Sequence, residues 1–198
     1  MGSGFEKLFA TLPAVLSGDD GFLNEVRNCA HILTLSKGDY LLRRGQPCTH
    51  GYFINKGVIL HLYVNDKGRE SVMGLSADDL YPFFSSPDYF TGQPTGFELK
   101  AIEEVEVLAF SRSRIDSLSD KYPAFASYFK EIMLMVISKI YTLTAARQSN
   151  TPEELLRYLY SHHIWIVNRI PDKYIAQFIG ISNEWYCKLK KKVLASLT

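Results

Sequence analysis

The segment Pro171-Asp172-Lys173-Tyr174-Ile175-Ala176-Gln177-Phe178-Ile179-Gly180-Ile181-Ser182-Asn183-Glu184-Trp185-Tyr186-Cys187-Lys188-Leu189-Lys190-Lys191 carries the most specific spacing in the chain. Two short helices joined by a tight turn need a small residue where they touch. They also need glycine where the turn takes positive φ, and apolar residues at fixed offsets to lock them together. Ala176 is the small contact, Gly180 the turn, and Ile175, Ile179, Ile181, Tyr186 and Leu189 the lock. Ser182 is a good N-cap for the second helix. All offsets fit a helix-turn-helix. An ordinary helical hairpin would want the same Ala, Gly and Ile, and it is the basic second helix that favours the helix-turn-helix.

Charge follows the same division. Residues 1–150 carry 15 Lys and Arg against 17 Asp and Glu, whereas residues 151–198 carry seven against four. Upstream of the helical pair, Thr151-Pro152-Glu153-Glu154 starts a helix, with Thr151 as N-cap, Pro152 at its first position and Glu154 closing a capping box. Before that, Pro123 opens a long helix to about Gln148. Its apolar residues Phe125, Phe129, Ile132, Val136, Ile140 and Leu143 form a heptad-like seam. Such a seam fits a helix packed on its own domain, or one that also pairs with a second copy of the chain.

Residues 31–111 change period. Short apolar runs (Ile32–Leu35, Tyr40–Leu42, Tyr52–Ile54, Val58–Val64, Ser71–Leu75, Phe97–Ala101, Glu104–Phe110) are separated by Lys37-Gly38-Asp39, Gly45-Gln46-Pro47, Asn55-Lys56-Gly57 and Asp66-Lys67-Gly68. This spacing predicts an antiparallel β-sandwich or roll. Tyr81–Gly96 is too broken for a strand and reads as a long surface loop. Residues 5–28 read as one or two short helices, and Ser111–Leu118 as another. The expected boundaries are therefore 1–122 for the β-domain, 123–150 for the long helix and hinge, and 151–198 for the helix-turn-helix.

The 198 residues are 46% hydrophobic and 22% charged, which excludes a disordered or low-complexity chain. The richest apolar window, Ile132–Ile137, is far too short to span a bilayer. Met1–Gly4 lacks the basic and apolar run of a secretory signal. Cys29, Cys48 and Cys187 form no CxxC pair, so a reducing cytoplasm is the expected setting. His31, His50, His61, His162 and His163 show no HxH or HxxxH spacing, and no metal site is expected. No Ser/His/Asp or Cys/His set can be placed together, so the chain is not read as an enzyme.

With the helix-turn-helix placed, the chain from about residue 10 to 194 resembles the Crp/Fnr family of bacterial transcription regulators. The resemblance is carried by Leu35–Leu41, Arg44-Gly45-Gln46, Tyr52–Val58 and Ala101–Phe110 in the first half, and by Pro171–Lys191 in the second. It implies an α+β architecture: an N-terminal jelly roll (a double-stranded β-helix of the cyclic-nucleotide-binding type), a long dimerisation helix and a C-terminal helix-turn-helix. It also implies double-stranded DNA, a second copy of the chain and RNA polymerase as partners, with no cofactor and no membrane.

Departures from the family pattern limit the resemblance. Members that bind cyclic AMP carry a Gly-Glu and, later, an Arg followed by Ser or Thr. Aligned on Ala101, those places read Pro82-Phe83 and Thr95-Gly96, and no arginine lies between Arg69 and Arg112. A buried phosphate without a cation is costly, so cyclic AMP is not the expected effector, and the effector stays open. Tyr81, Phe83, Phe84 and Thr95 would line an apolar pocket in its place, or else fill the roll. Iron–sulfur members need a cysteine cluster that Cys29 and Cys48 cannot supply. The related metal-binding cupins need His-x-His, which His61-Leu62-Tyr63 breaks. Only Ala195–Thr198 follow Leu194, too few for the wing many members append.

By position on the second helix, Asn183, Glu184 and Lys188 are the expected base readers, and Ser182, Lys191 and Lys173 the expected phosphate contacts. The resulting expectation is a homodimeric, sequence-specific DNA-binding regulator. The alternative is a ligand-binding or protein-interaction module with a vestigial helix-turn-helix.

Overall fold

The computed structural model describes residues 4–196. The signal-peptide expectation at Met1–Ser3, and the last two residues of the short tail, Leu197 and Thr198, lie outside the described residues. The chain forms two compact units. One runs up to Glu70 and then over Gly74–Ile137; the other comprises Ser71–Met73 and the residues from Ser138 onward.

Three short helices open the chain, one more than the upper expectation: α1 (Glu6–Phe9), α2 (Ala14–Ser17) and α3 (Asp20–Cys29). The third is separated because Asp19 caps it, its carboxylate accepting from Phe22 N–H at 3.0 Å. Eight strands follow, β1 (Ala30–Leu35), β2 (Tyr40–Leu42), β3 (His50–Lys56), β4 (Val58–Val64), β5 (Glu70–Ala77), β6 (Phe83–Phe84), β7 (Phe97–Ala101) and β8 (Val105–Ser111). They form two four-stranded sheets, ordered β1-β8-β3-β6 and β2-β7-β4-β5. Helices α4 (Arg112–Lys121) and α5 (Pro123–Ser149) come next, then α6 (Pro152–His162), α7 (Ile164–Arg169), α8 (Asp172–Ile179) and α9 (Asn183–Ala195). The fold is thus the α+β roll, long helix and helical C-terminal region that the sequence pattern implies.

The turn from β3 to β4, which carries the chain from one sheet to the other, sits on Gly57 at φ +98°, where an added Cβ would lie 2.5 Å from the Glu104 carbonyl oxygen. Only glycine fits, for conformation and for space. The two faces of the first sheet bury different partners. Tyr52, Ile54, Val105, Val107 and Ala109 face the roll interior with Leu99 and Ala101. Phe53 and Leu108 face outward onto Phe22, Val26 and Leu118 of the helical layer.

Tyr81–Gly96 is not wholly loop. Phe83 and Phe84 pair with Phe53 and Tyr52 as the edge strand β6, and Pro87–Tyr89 form a 3-10 turn capped by Ser86. Strand pairing wins here because both phenylalanines find an apolar face. Phe84 stacks on Tyr52 (5.3 Å between centroids), while Phe83 meets Phe53 edge-on at 4.9 Å.

The seam of α5 divides along its length. Phe125 and Phe129 pack against the roll core, and Ile132 is buried. Leu134, Ile137, Ile140 and Tyr141 are exposed by 57%, 50%, 56% and 74%.

Candidate functional site

The C-terminal helices are positioned by the residues that fit the helix-turn-helix spacing. Ala176 is fully buried between helices, and Gly180 ends α8 in the left-handed region at φ +85°. Its N–H reaches Ala176 O at 2.9 Å, and Ile181 N–H reaches the same carbonyl at 3.0 Å, so the turn spends its free donors on the helix it leaves. Ile175, Ile179, Tyr186, Leu189 and Val193 are buried and Ile181 partly so. Ser182 caps α9, its hydroxyl accepting from Trp185 N–H at 3.2 Å. The capping box of Thr151 and Glu154 starts α6 as expected.

A polar clasp supplements this lock. Lys190 Nζ donates to both carboxylate oxygens of Asp172 at 2.9 and 3.0 Å, and Tyr186 O–H donates to the same carboxylate at 3.3 Å. The Asp172 hydrogen bond raises the Lys190 pKa above its ordinary value, and burial pushes the Tyr186 phenol up. Lys192 Nζ lies 2.5 Å from Glu153 Oε2, which holds that carboxylate below its ordinary range.

The basic run is therefore not uniform. Lys190, partly buried, pairs with Asp172 and the exposed Lys192 pairs with Glu153, while Lys188 and Lys191 are exposed and make no ion pair among the described residues. Asn183, Glu184 and Lys188 are all exposed on the first turns of α9. Lys173 is exposed at the start of α8, its ammonium 4.7 Å from the Tyr174 ring centroid. Ser182 keeps its O–H available as a donor while its oxygen caps the helix. Trp185, which the spacing argument passes over, is exposed beside them. It was legible, because the lock at 186, 189 and 193 leaves 185 out of phase.

The roll carries the second set of predicted residues and does not bring them together. Thr95 is 2% exposed; its Oγ1 donates to Asp88 Oδ2 at 2.7 Å and lies 2.7 Å from Ser86 Oγ. Phe84 points into the roll, Phe83 to the opposite face, and Tyr81 holds φ +55° just before Pro82. Phe83 and Phe84 thus do not line one pocket, because neighbours along a strand face opposite ways.

Thr95, which aligns with the arginine of cyclic-AMP-binding family members, belongs to a hydrogen-bonded Ser86–Thr95–Asp88 network that contains a carboxylate. Arg112 is committed elsewhere, donating to Tyr89 O (3.3 Å) and Phe90 O (2.9 Å) and pinning the 3-10 turn. Deeper in the roll, the Cys48 thiol lies 3.3 Å from Ser85 Oγ. His61 Nε2 lies 3.2 Å from Ser76 Oγ, and burial lowers the His61 pKa to about 4. Burial also pushes the Tyr89 phenol, which has no hydrogen-bond partner, up to about 12. Among the described residues no group of three or more His, Cys, Asp or Glu could hold a metal, and no helix is long and apolar enough to cross a membrane.

Residues 32–122 match the family model of the cyclic nucleotide-binding domain. FixK2 from Bradyrhizobium japonicum superposes with a TM-score of 0.69 over 84% of this chain and 85% of that one, at 11% identity. The chain has the Crp/Fnr regulator fold. A transcriptional regulator of the crp/fnr family from Eubacterium rectale is similar at TM-score 0.67, 14% identity and 96% and 87% coverage. The c-di-GMP-responsive global regulator CLP from Xanthomonas campestris is similar at 0.66, 16% identity and 90% and 93% coverage. No curated protein matches the chain in sequence. Within this Crp/Fnr fold the roll comes first in the chain, followed by the long helix α5 and the C-terminal helices α6 to α9.

Proposed function

We propose that the chain is a sequence-specific DNA-binding transcription regulator of the Crp/Fnr type, a cytoplasmic homodimer that does not respond to cyclic AMP and is not an enzyme. One observation carries this reading. On α9, the lysines not needed to hold the fold, Lys188 and Lys191, share the exposed surface with Asn183 and Glu184. A helix kept only for packing has no use for them, whereas a major-groove reader needs both cations and base-edge partners.

Residues 1–122 are then the sensory roll, 123–150 the dimerisation helix and hinge, and 151–198 the DNA-binding domain. Asn183 suits adenine, Glu184 accepts from cytosine N4, and Lys188 donates to guanine O6 or N7. Ser182, Lys191 and Lys173 contact phosphates, and RNA polymerase is the protein partner of the bound dimer. The internal pairing of Lys190 and Lys192 supports the rival reading, a ligand-binding or interaction module with a vestigial helix-turn-helix, because it gives half of the lysine run a structural purpose.

Selection of duplexes from a random pool by the purified full chain decides between them. Enrichment of a two-fold symmetric sequence is the expected result. Failure to enrich any sequence, at low salt as well as high, would overturn the proposal.

A further inference from the structure

Trp185 is 51% exposed on the first turn of α9. The helix is locked by Tyr186, Leu189 and Val193, all buried, and the indole stands outside that lock with half of its surface open. It makes no aromatic or cation–π contact among the described residues, whereas Trp165 lies under the Arg169 guanidinium at 5.7 Å. Its neighbours on the surface are Glu184 before it and Lys188, three residues on, the spacing that makes side chains adjacent on a helix. An apolar ring thus stands among the polar groups that would face base edges, on the basic side of the domain.

We infer that Trp185 is a specificity-determining residue that recognises thymine by covering its 5-methyl group in the major groove. This rests on the DNA-binding reading above. The occupant follows from chemistry. The unpaired charge of Lys188 and Lys191 calls for a polyanion, and the thymine methyl is the one apolar feature that a base pair displays in the major groove. Asn183, Glu184 and Lys188 have hydrogen-bonding partners for adenine, cytosine and guanine; the indole supplies recognition of the remaining base.

The test uses the duplex that the wild-type chain selects from a random pool, with each thymine replaced in turn by uracil, which pairs identically and lacks only the methyl. At one thymine per half-site, uracil should weaken wild-type binding about three- to fivefold, the ratio expected for one methyl group withdrawn from water. Trp185→Ala, which places a good helix former at an exposed site, should bind the thymine and uracil duplexes equally. Trp185→Phe, which keeps an apolar ring, should retain the discrimination. Absence of any uracil effect on the wild type, or the same thymine-to-uracil ratio in Trp185→Ala, overturns the inference and leaves DNA binding standing. Failure to select a duplex at all overturns the DNA-binding reading and this inference with it.

Discussion

Replacing Ile137 by Glu should split the proposed dimer without unfolding its subunits. Leu134, Ile137 and Ile140 are each about half exposed in the single chain, and Tyr141 is 74% exposed. Full burial of such an aliphatic side chain is worth about 1.5–3 kcal/mol, so completing the burial of each gains about 1 kcal/mol. Across a two-fold interface the three aliphatics count twice, giving about 6 kcal/mol before the tyrosines, enough to offset the lower end of the association cost. Ile137→Glu removes about 2 kcal/mol of this per dimer and puts two carboxylates into a desolvated seam. A total loss of about 4 kcal/mol corresponds to nearly a thousandfold in Kd. Because Ile137 is exposed in the monomer, helicity and unfolding midpoint should stay close to wild type. Light scattering at micromolar concentration should report a dimer for the wild type and a monomer for the variant. Val15→Glu, at an apolar site exposed by 68% on α2, should remain dimeric. A monomeric wild type, or an Ile137→Glu protein of unchanged mass, would refute the assignment of α5 as the interface.

Further outcomes follow from the same geometry. Lys188→Ala should cost about 1–3 kcal/mol at the preferred duplex and relax preference there, whereas Lys191→Ala should weaken all duplexes alike and reduce the salt slope by about one; competition binding at two salt concentrations separates them. Calorimetry with cyclic AMP or cyclic GMP should show no binding at physiological concentration, because Asp88 and Thr95 close the site that a phosphate would need; micromolar affinity would refute this. His61 gives the fold an acid sensitivity. Its pKa is lowered from 6.5 to about 4, so below pH 6.5 the unfolded chain binds a proton that the folded one refuses, and stability falls as pH falls through this window. Urea unfolding should lose about 2 kcal/mol between pH 7 and 5, and His61→Gln should remove most of that dependence.

Sequence reveals most where physics is local. The Gly180 and Gly57 turns and the Ser182 and Thr151 caps are set by conformational preferences within a few residues, and each is found in the place its spacing indicates. Partners distant along the chain are not legible in the same way. Nothing near Lys190 or Lys192 announces Asp172 or Glu153, 18 and 39 residues earlier, so a run of four lysines reads as one patch when two of them are clasps. Periodicity has a related limit. The seam of α5 records that one face is apolar but not what covers it, and the cover differs along the helix: Phe125 and Phe129 pack against the roll core, while Ile137 and Ile140 stay about half exposed in the single chain. The candidate pocket failed for a third reason. Grouping Tyr81, Phe83, Phe84 and Thr95 by closeness in sequence ignores the alternation of a strand, and once Phe83-Phe84 pairs with β3 its two rings must part to opposite faces. In the proposed reading, the Asp88 carboxylate held by Ser86 and Thr95 disfavours a phosphate anion beside it in the roll.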